Sequence, residues 1–420
     1  MTNISADSNV LDTSPTKPRS EGQPSTLATI AVMAILGCSY TFNGLDRSVF
    51  PALLAPISSE LGLDLAQGGF LSNVFTLNIA IFGALSGWFM IRFGRKTTLV
   101  GGLIAYSIFT LLIPLARSYG ELTFYRAMTG AGEALHIAAI FSMIGAFFGA
   151  RRGTFLGINN AFFGVGTFLA PIVGTQMYAA LGSWRPPFYL FGVAGIVAAL
   201  AVLFFVPNTF SEAEDGEDVD RTRFADAECP DNALNPNSAA CVIAFFLTGY
   251  SFLSYMALYT LFLKQHLGYS VVDAGTAFSM YGVGSLTAFV GGWVGDRLKR
   301  YGLLVCLVIM ALDGYLMFNV VVSLIGQMVL SFVFGAMLSG FLFPRFLAVV
   351  QRCVRPAHVG TAMSMMIPVF YLAGFVAGPT FGALVPVLGW STAGAVSVTL
   401  TAVAAALVTC LINPRRMRGN

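Results

Sequence analysis

Apolar residues run in long blocks along this chain, broken by short polar segments. From Thr97 to Ala116 no side chain is ionisable except Tyr106. A helix rises about 1.5 Å per residue, so about 20 such residues cross a hydrocarbon core. The same pattern predicts spans at 27–57, 67–91, 97–116, 119–149, 154–181, 186–206, 238–264, 272–295, 302–322, 325–350, 360–386 and 388–412. Several exceed what a crossing needs, and tilt, bends or extension beyond the bilayer would absorb the excess. Buried helices of a large soluble core would also be apolar. That reading fails because the blocks fill nearly the whole chain, and no soluble interior could hide them all. The expected fold class is an all-α membrane protein with twelve transmembrane helices.

Composition agrees. Of 420 residues 56% are hydrophobic and 10% charged, against about 25% charged in a soluble domain. Mean hydropathy is +0.76. The net charge of +3 is too small to suggest a nucleic-acid partner. Cys38, Cys229, Cys241, Cys306, Cys353 and Cys410 are scattered, and with His136, His266 and His358 they make no metal spacing. Most of the cysteines read as helix-packing residues. No phosphate loop followed by Lys-Ser/Thr, no HExxH and no nucleophile elbow occurs, so neither an enzyme nor a cofactor is implied.

Lys and Arg in short loops set orientation. One side would hold Arg92, Arg95, Lys96, Arg151, Arg152, Arg297, Lys299, Arg300, Arg352, Arg355, Arg415, Arg416 and Arg418, the other only Arg117, Arg185 and Lys264. The basic side is expected to be cytoplasmic and to carry both termini. Residues 1–26 are polar and rich in Ser, Thr and Pro, and read as a disordered cytoplasmic N-terminus. They do not read as a signal peptide, because the apolar block after them is too distant and too long. Residues 207–237 carry Glu212, Glu214, Asp215, Glu217, Asp218 and Asp220, and read as an acidic cytoplasmic linker. Residues 413–420 would be a cytoplasmic tail. A monomer in a plasma (bacterial inner) membrane is expected.

The chain repeats itself. Gly87 and Arg92 match Gly292 and Arg297, Gly153-Thr154 matches Gly360-Thr361, Pro171 and Gly174 match Pro379 and Gly382, and Trp184 matches Trp390, at offsets of 205 to 208 residues. A series in order is an internal duplication. It predicts two six-helix halves, 27–206 and 238–412, around a central cavity.

Three motifs carry chemistry. After span 8 stands Gly292-Trp-Val-Gly-Asp296-Arg297-Leu-Lys-Arg300, and after span 2 Gly87-Trp-Phe-Met-Ile91-Arg92-Phe-Gly94-Arg95-Lys96. Span 4 has Arg126-Ala-Met-Thr-Gly130-Ala-Gly132-Glu133-Ala134, and span 1 has Asn43-Gly44-Leu45-Asp46-Arg47. The loop motifs are similar to the GxxxDRxGRR signature of the major facilitator superfamily of secondary transporters. The span 4 and span 1 motifs resemble RxxxGxG and the NYxDR of its anion:cation symporters. Ile91 stands where the family has Asp, and Gly44 where it has Tyr. The resemblance covers about 27–412 without the linker. It implies alternating access, with Arg92, Arg95, Asp296, Arg297 and Arg300 as gating residues.

Arg126 and Glu133 lie two helical turns apart on nearly one face, at depths matching Asp46 and Arg47 on span 1. Ionisable groups within a membrane are costly, and they pair or line a cavity. A purely structural ion-pair network is the rival reading. The functional reading makes the chain a proton-coupled symporter of a small organic anion. Arg47 and Arg126 would hold the carboxylate, and Asp46 and Glu133 would carry protons. Tyr250, Tyr255 and Tyr281, with Ser251 and Tyr259, would face the substrate from the second half. That favours an aromatic or modestly polar carboxylate. The alternatives are a proton-coupled antiporter exporting a drug or lipid-like amphiphile, and a sensor that transports nothing. His136 reads as a packed, hydrogen-bonded histidine, Asp313 as peripheral, and Arg345 as reaching towards the cytoplasm.

Overall fold

A computed structural model describes residues 26–148, 152–211, 232–288, 301–355, 358–413 and 417. Among them the chain is helical, without strands. The first half contains α1 (Thr26–Ala52), α2 (Leu54–Leu61), α3 (Leu65–Asn73), α4 (Phe75–Phe93), α5 (Arg95–Leu112), α6 (Tyr119–Phe148), α7 (Arg152–Leu181) and α8 (Pro186–Phe205). The second contains α9 (Pro236–Gln265), α10 (Val271–Ser285), α11 (Gly302–Asn319), α12 (Leu324–Gly335), α13 (Phe343–Arg352), α14 (Val359–Gly394) and α15 (Thr401–Thr409). Two π-helical stretches, Ala336–Leu342 and Ala395–Leu400, join α12 to α13 and α14 to α15.

Local chemistry sets the ends. Asp64 caps α3: its carboxylate accepts from Gln67 N at 2.7 Å, while Gln67 Oε1 accepts from Asp64 N at 3.0 Å, a reciprocal capping box. Asn235 caps α9 by accepting from Ser238 N, with Pro236 at the first helical position, where its missing N–H costs nothing. Gly94 turns α4 into α5 at φ 84°, a conformation open to glycine.

Ten helical stretches among the described residues are long and apolar enough to cross a membrane. Two particulars separate this number from the expected twelve. The eighth predicted span is described only in part, because 289–300 lie outside the described residues. The last two predicted spans run together as Thr361–Thr409. That stretch is 49 residues long, far more than one crossing needs. Its helical backbone is interrupted at Gly389, with φ 75° and ψ 164°. The calls on Asp296, Arg297 and Arg300, on residues 1–25 and on most of the 207–237 linker also fall outside the described residues.

Glycine contacts reveal helix directions. Along α1 and α7, Gly37 meets Phe162, Gly44 meets Phe163 and Gly166, and Gly174 meets Val49, so the two run parallel. α3 and α14 run antiparallel, with Gly69 against Gly378 and Leu65 against Gly382. At Gly69 the backbones touch so closely that a Cβ would collide with the Gly378 carbonyl. Asn73 donates to the Leu253 carbonyl at 2.9 Å, and Thr260 donates its hydroxyl to the Pro51 carbonyl. These contacts seal the two halves together at one end. At Gly87 no described residue approaches within 4 Å of where a Cβ would stand.

Candidate functional site

Four charges meet in the first half. Arg47 of α1 donates from Nε to Glu133 Oε2 of α6 at 2.6 Å. Arg126 of α6 donates from Nη1 to Asp46 Oδ2 of α1 at 2.8 Å. Each arginine therefore pairs with the acid of the other helix. Thr110 of α5 donates its hydroxyl to the other Asp46 oxygen. Burying single charges in this setting would be prohibitive, whereas reciprocal pairing compensates all four. Phe75 stands between the guanidiniums, with its ring centroid 5.7 Å from Arg47 and 4.7 Å from Arg126.

The two pairs are not equivalent. Arg126 is fully enclosed, with Phe50 on its other side at 5.0 Å. Arg47 keeps 10% of its side chain exposed and lines a cavity of about 850 Å³ between the halves, a size suited to a small molecule. Among the described residues Arg47 is the single charged residue on that wall. Its Nη2 and the Oε1 of Glu133 have no hydrogen-bond partner among the described residues. The lining positions of α14, Met363 to Tyr371, precede Gly378, and those of α4, Phe75 to Ala84, follow Gly69. The cavity thus lies on one side of the seal, towards the end at which α1, α7, α9 and α14 begin.

Tyr371 of α14 closes the second-half side of the arginine. Its hydroxyl accepts from Arg47 Nη1 at 2.8 Å, and its ring centroid lies 5.3 Å from the guanidinium. Phe163 of α7 lies on Arg47 as well, at 5.6 Å. Sequence reasoning missed Tyr371, yet the duplication contained the signal. Tyr371 follows Phe163 by 208 residues, the same offset that relates Pro171 to Pro379.

The expected tyrosines divide. Tyr281 of α10 lines the cavity. Tyr250 does not, and its hydroxyl pairs with Thr380 of α14. Tyr255 is enclosed within the second half, bonded to Ser331 at 2.5 Å, and Tyr259 is bonded to Gln327 at 2.9 Å. The reason is helical position: residues four apart on the central α9 share a face, and that face packs against α12 rather than the cavity. Arg126 is likewise set behind the wall by its bond to Asp46. His136 is buried with Nε2 3.1 Å from Ser39 Oγ. Asp313 of α11 is buried away from the cavity lining. Arg92 is exposed in the last turn of α4, and Arg95 is half-buried in the first turn of α5.

Gly44 occupies the tyrosine position of the span 1 motif for a steric reason. A Cβ there would strike the Phe163 carbonyl and the Thr167 nitrogen of α7. The motif's departure and the tight α1–α7 contact are one feature.

The sequence model of the Major Facilitator Superfamily matches residues 36–285 and 240–419. The chain belongs to the Major Facilitator Superfamily. It is similar to a hexuronate transporter of Bacillus subtilis (strain 168), 26% identical over 63% of this chain and 62% of the relative. It is similar to a probable sulfoacetate transporter of Cupriavidus necator, 26% identical over 84% of this chain and 86% of the relative. A protein spinster homolog 3 of Danio rerio is 26% identical over 49% of this chain and 44% of that protein. The match thus spans 62% of the hexuronate transporter and 44% of the spinster homolog. Among solved structures, a bacterial homolog of the human lysosomal transporter Spinster, inward-facing and occupied, superposes with a TM-score of 0.72 at 18% identity, covering 94% of this chain and 97% of that one. This superfamily member is a multi-pass integral membrane protein, and the hexuronate and sulfoacetate relatives are named as transporters.

Proposed function

We propose that this superfamily member is a proton-coupled symporter of a small organic anion. The observation that carries the reading is Arg47: among the described residues it is the one charge on the cavity wall, with one guanidinium nitrogen unpartnered and Glu133 bonded behind it. A guanidinium offers a carboxylate a planar pair of donors. While ionised, Glu133 competes with the substrate for that group. Protonation of Glu133 releases it. Asp46, held by Arg126 and Thr110, is the second proton carrier. Arg126 serves by holding Asp46 rather than by touching the substrate. The names of the relatives, a hexuronate and a sulfoacetate transporter among them, support anionic cargo.

This reading takes the protein to have twelve spans in two halves, 27–206 and 238–412, with both termini and the linker cytoplasmic in a bacterial inner membrane. The cavity of the present conformation would then face the cytoplasm, and Arg92, Arg95, Asp296, Arg297 and Arg300 would close it there. The aromatic wall, with Phe75, Phe163, Phe252 and Phe370, also favours a second reading, export of an amphiphile in exchange for protons. The test is uptake into proteoliposomes with and without an imposed pH gradient, using a panel of carboxylates. Accumulation of a carboxylate together with protons supports symport. Proton-driven movement of a dye or lipid in the opposite direction, with no carboxylate uptake, supports the second reading and overturns the first.

A further inference from the structure

Across the cavity from the charge cluster, three hydroxyls gather on the second half. Ser285 Oγ lies 3.1 Å from Ser339 Oγ, and Tyr281 Oη lies 3.4 Å from the same Ser339 Oγ. All three residues line the cavity. Tyr281 is 4% and Ser285 6% exposed.

The backbone makes a special arrangement for this group. Ser339 sits inside the π-helical stretch Ala336–Leu342. Such a turn inserts one residue into a helix and re-aims the side chains beyond it, frequently at functional sites. The duplication shows what has been re-aimed. In the first half Gly130 packs against the Phe75 carbonyl, and in the second Gly335 packs against that of Tyr281. The two contacts are equivalent, with Tyr281 standing where Phe75 stands. Counting on from these glycines, with one residue added for the π turn, Ser339 takes the place of Glu133. The first half thus has a carboxyl and a phenyl ring where the second has two hydroxyls.

Donor counting sets what the cluster binds. Three hydroxyls carry three protons and six lone pairs. Ser285 also lies 3.0 Å from the Tyr281 carbonyl. With Ser285 donating there or to Ser339, and one bond joining Tyr281 and Ser339, one proton and several lone pairs stay available to a ligand. No charged side chain lines the second-half wall among the described residues. A neutral hydrogen-bonding group is satisfied by this cluster, and a second carboxylate is not, because burying it needs a cation.

We propose that Ser339, Ser285 and Tyr281 form a specificity subsite that recognises a neutral polar substituent on the far end of a monocarboxylate whose own carboxylate sits at Arg47. The proposal rests on the anion reading of Arg47. It narrows the cargo to monoanions with an apolar or aromatic body and a distal hydroxyl, carbonyl or amide.

The experiment is equilibrium binding to the purified full-length protein. The panel consists of aromatic and aliphatic monocarboxylates, each paired with its distally hydroxylated analogue and with the corresponding dicarboxylate. At least one hydroxylated monocarboxylate should bind about 10-fold tighter than its unsubstituted partner, the worth of one well-made hydrogen bond. Ser339→Ala should shrink that gap to within about twofold while leaving the unsubstituted acid's affinity unchanged. Ser285→Ala should act in the same direction, and it serves if Ser339→Ala does not fold. The inference is overturned if both variants keep the full gap, if no pair shows a gap, or if dicarboxylates bind best. Binding of no carboxylate, or binding indifferent to Arg47→Ala, overturns the anion reading itself. Absence of any hydroxyl preference in the wild-type protein, with Arg47-dependent binding intact, overturns the subsite alone.

Discussion

Arg47 and Glu133 are joined across α1 and α6 by a bond of 2.6 Å, and the arginine alone of the two reaches the cavity wall. The pair therefore has an inner member and an outer member. Whatever changes the charge of Glu133 changes the availability of the cation that, among the described residues, lines the cavity.

The two arginines should separate by phenotype. Arg47→Ala removes the cavity's cation, and carboxylate binding should fall by about 10-fold or more, as for a lost charge-assisted hydrogen bond. Arg126→Ala leaves the Asp46 carboxylate buried without its paired cation, and should cost about 3–5 kcal/mol of stability, the scale for breaking a buried pair. Thermal unfolding and ligand titration on the same preparations check both. Equal losses of binding with unchanged Tm would contradict the division of roles.

Restoring the family's tyrosine at position 44 should harm this protein. Gly44→Tyr forces α1 away from the Phe163 carbonyl of α7, and overpacking of this kind costs about 1–3 kcal/mol or more. Folded yield in detergent and Tm should both drop, more than for the same change at Gly87, where a Cβ meets no described residue.

A pH dependence is expected outside the spans, at Glu60 in α2. Hydrogen bonds from Arg185, at 2.6 and 3.1 Å, lower the proton affinity of its carboxyl. Burial opposes this, and the Trp184 indole bond at 2.7 Å adds to the lowering. A carboxyl with a depressed folded-state pKa contributes stability above its unfolded pKa and loses it as pH falls through the folded value. Glu60→Gln should therefore lower Tm slightly at neutral pH and make no difference in acid. The effect is small because Glu60 and Arg185 are 44% and 34% exposed and water screens the pair. A wild-type advantage that grows as pH falls would reverse the sign and refute the assignment.

Much of this architecture was legible in the chain. Apolar blocks locate helices without structural help, because hydrocarbon admits only helices and closed barrels, and barrel strands alternate apolar and polar residues rather than running continuously apolar. The motifs also brought Asp46, Arg47, Arg126 and Glu133 to one depth, where the structure pairs them. Depth is readable from residue counts along a helix, but azimuth is not. Arg126 and Tyr255 are at plausible depths and face protein interior, which only packing decides. Tyr371 is the opposite case: it looks like any other aromatic in a membrane helix until the duplication relates it to Phe163. The π turn under Ser339 has no clear mark in composition, and it appears only when the spacing of Gly335 and Ser339 is laid over that of Gly130 and Glu133.

The loop motifs predict an asymmetry between the halves. Asp296 keeps the family's acid, while Ile91 at the equivalent first-half position is apolar and 90% exposed. Asp296→Asn should slow transport, because the acid's attraction to a helix N-terminus or base is lost. Ile91→Asn should do less. Initial uptake rates at matched expression decide the matter, and wild-type transport by Asp296→Asn would remove Asp296 from the gate.

Glu133→Gln tests coupling directly. The amide keeps the shape of the acid and an acceptor for Arg47 Nε, yet it is neutral at every pH. It imitates the protonated state, in which Arg47 is released to the cavity. Carboxylate binding should therefore persist, and it should lose the part of its pH dependence that Glu133 supplies. Exchange of labelled for unlabelled substrate across a proteoliposome membrane should continue, since it needs no net proton movement. Accumulation driven by an imposed pH gradient should fail, because one titrating step is gone. A merely structural role for the Arg47–Glu133 bond predicts another pattern: lower folded yield, and binding, exchange and accumulation reduced together. If well-folded Glu133→Gln still concentrates substrate in response to the gradient, Glu133 is not the coupling residue. Asp46, held between Arg126 and Thr110, then becomes the one acid of the cluster left to carry the proton.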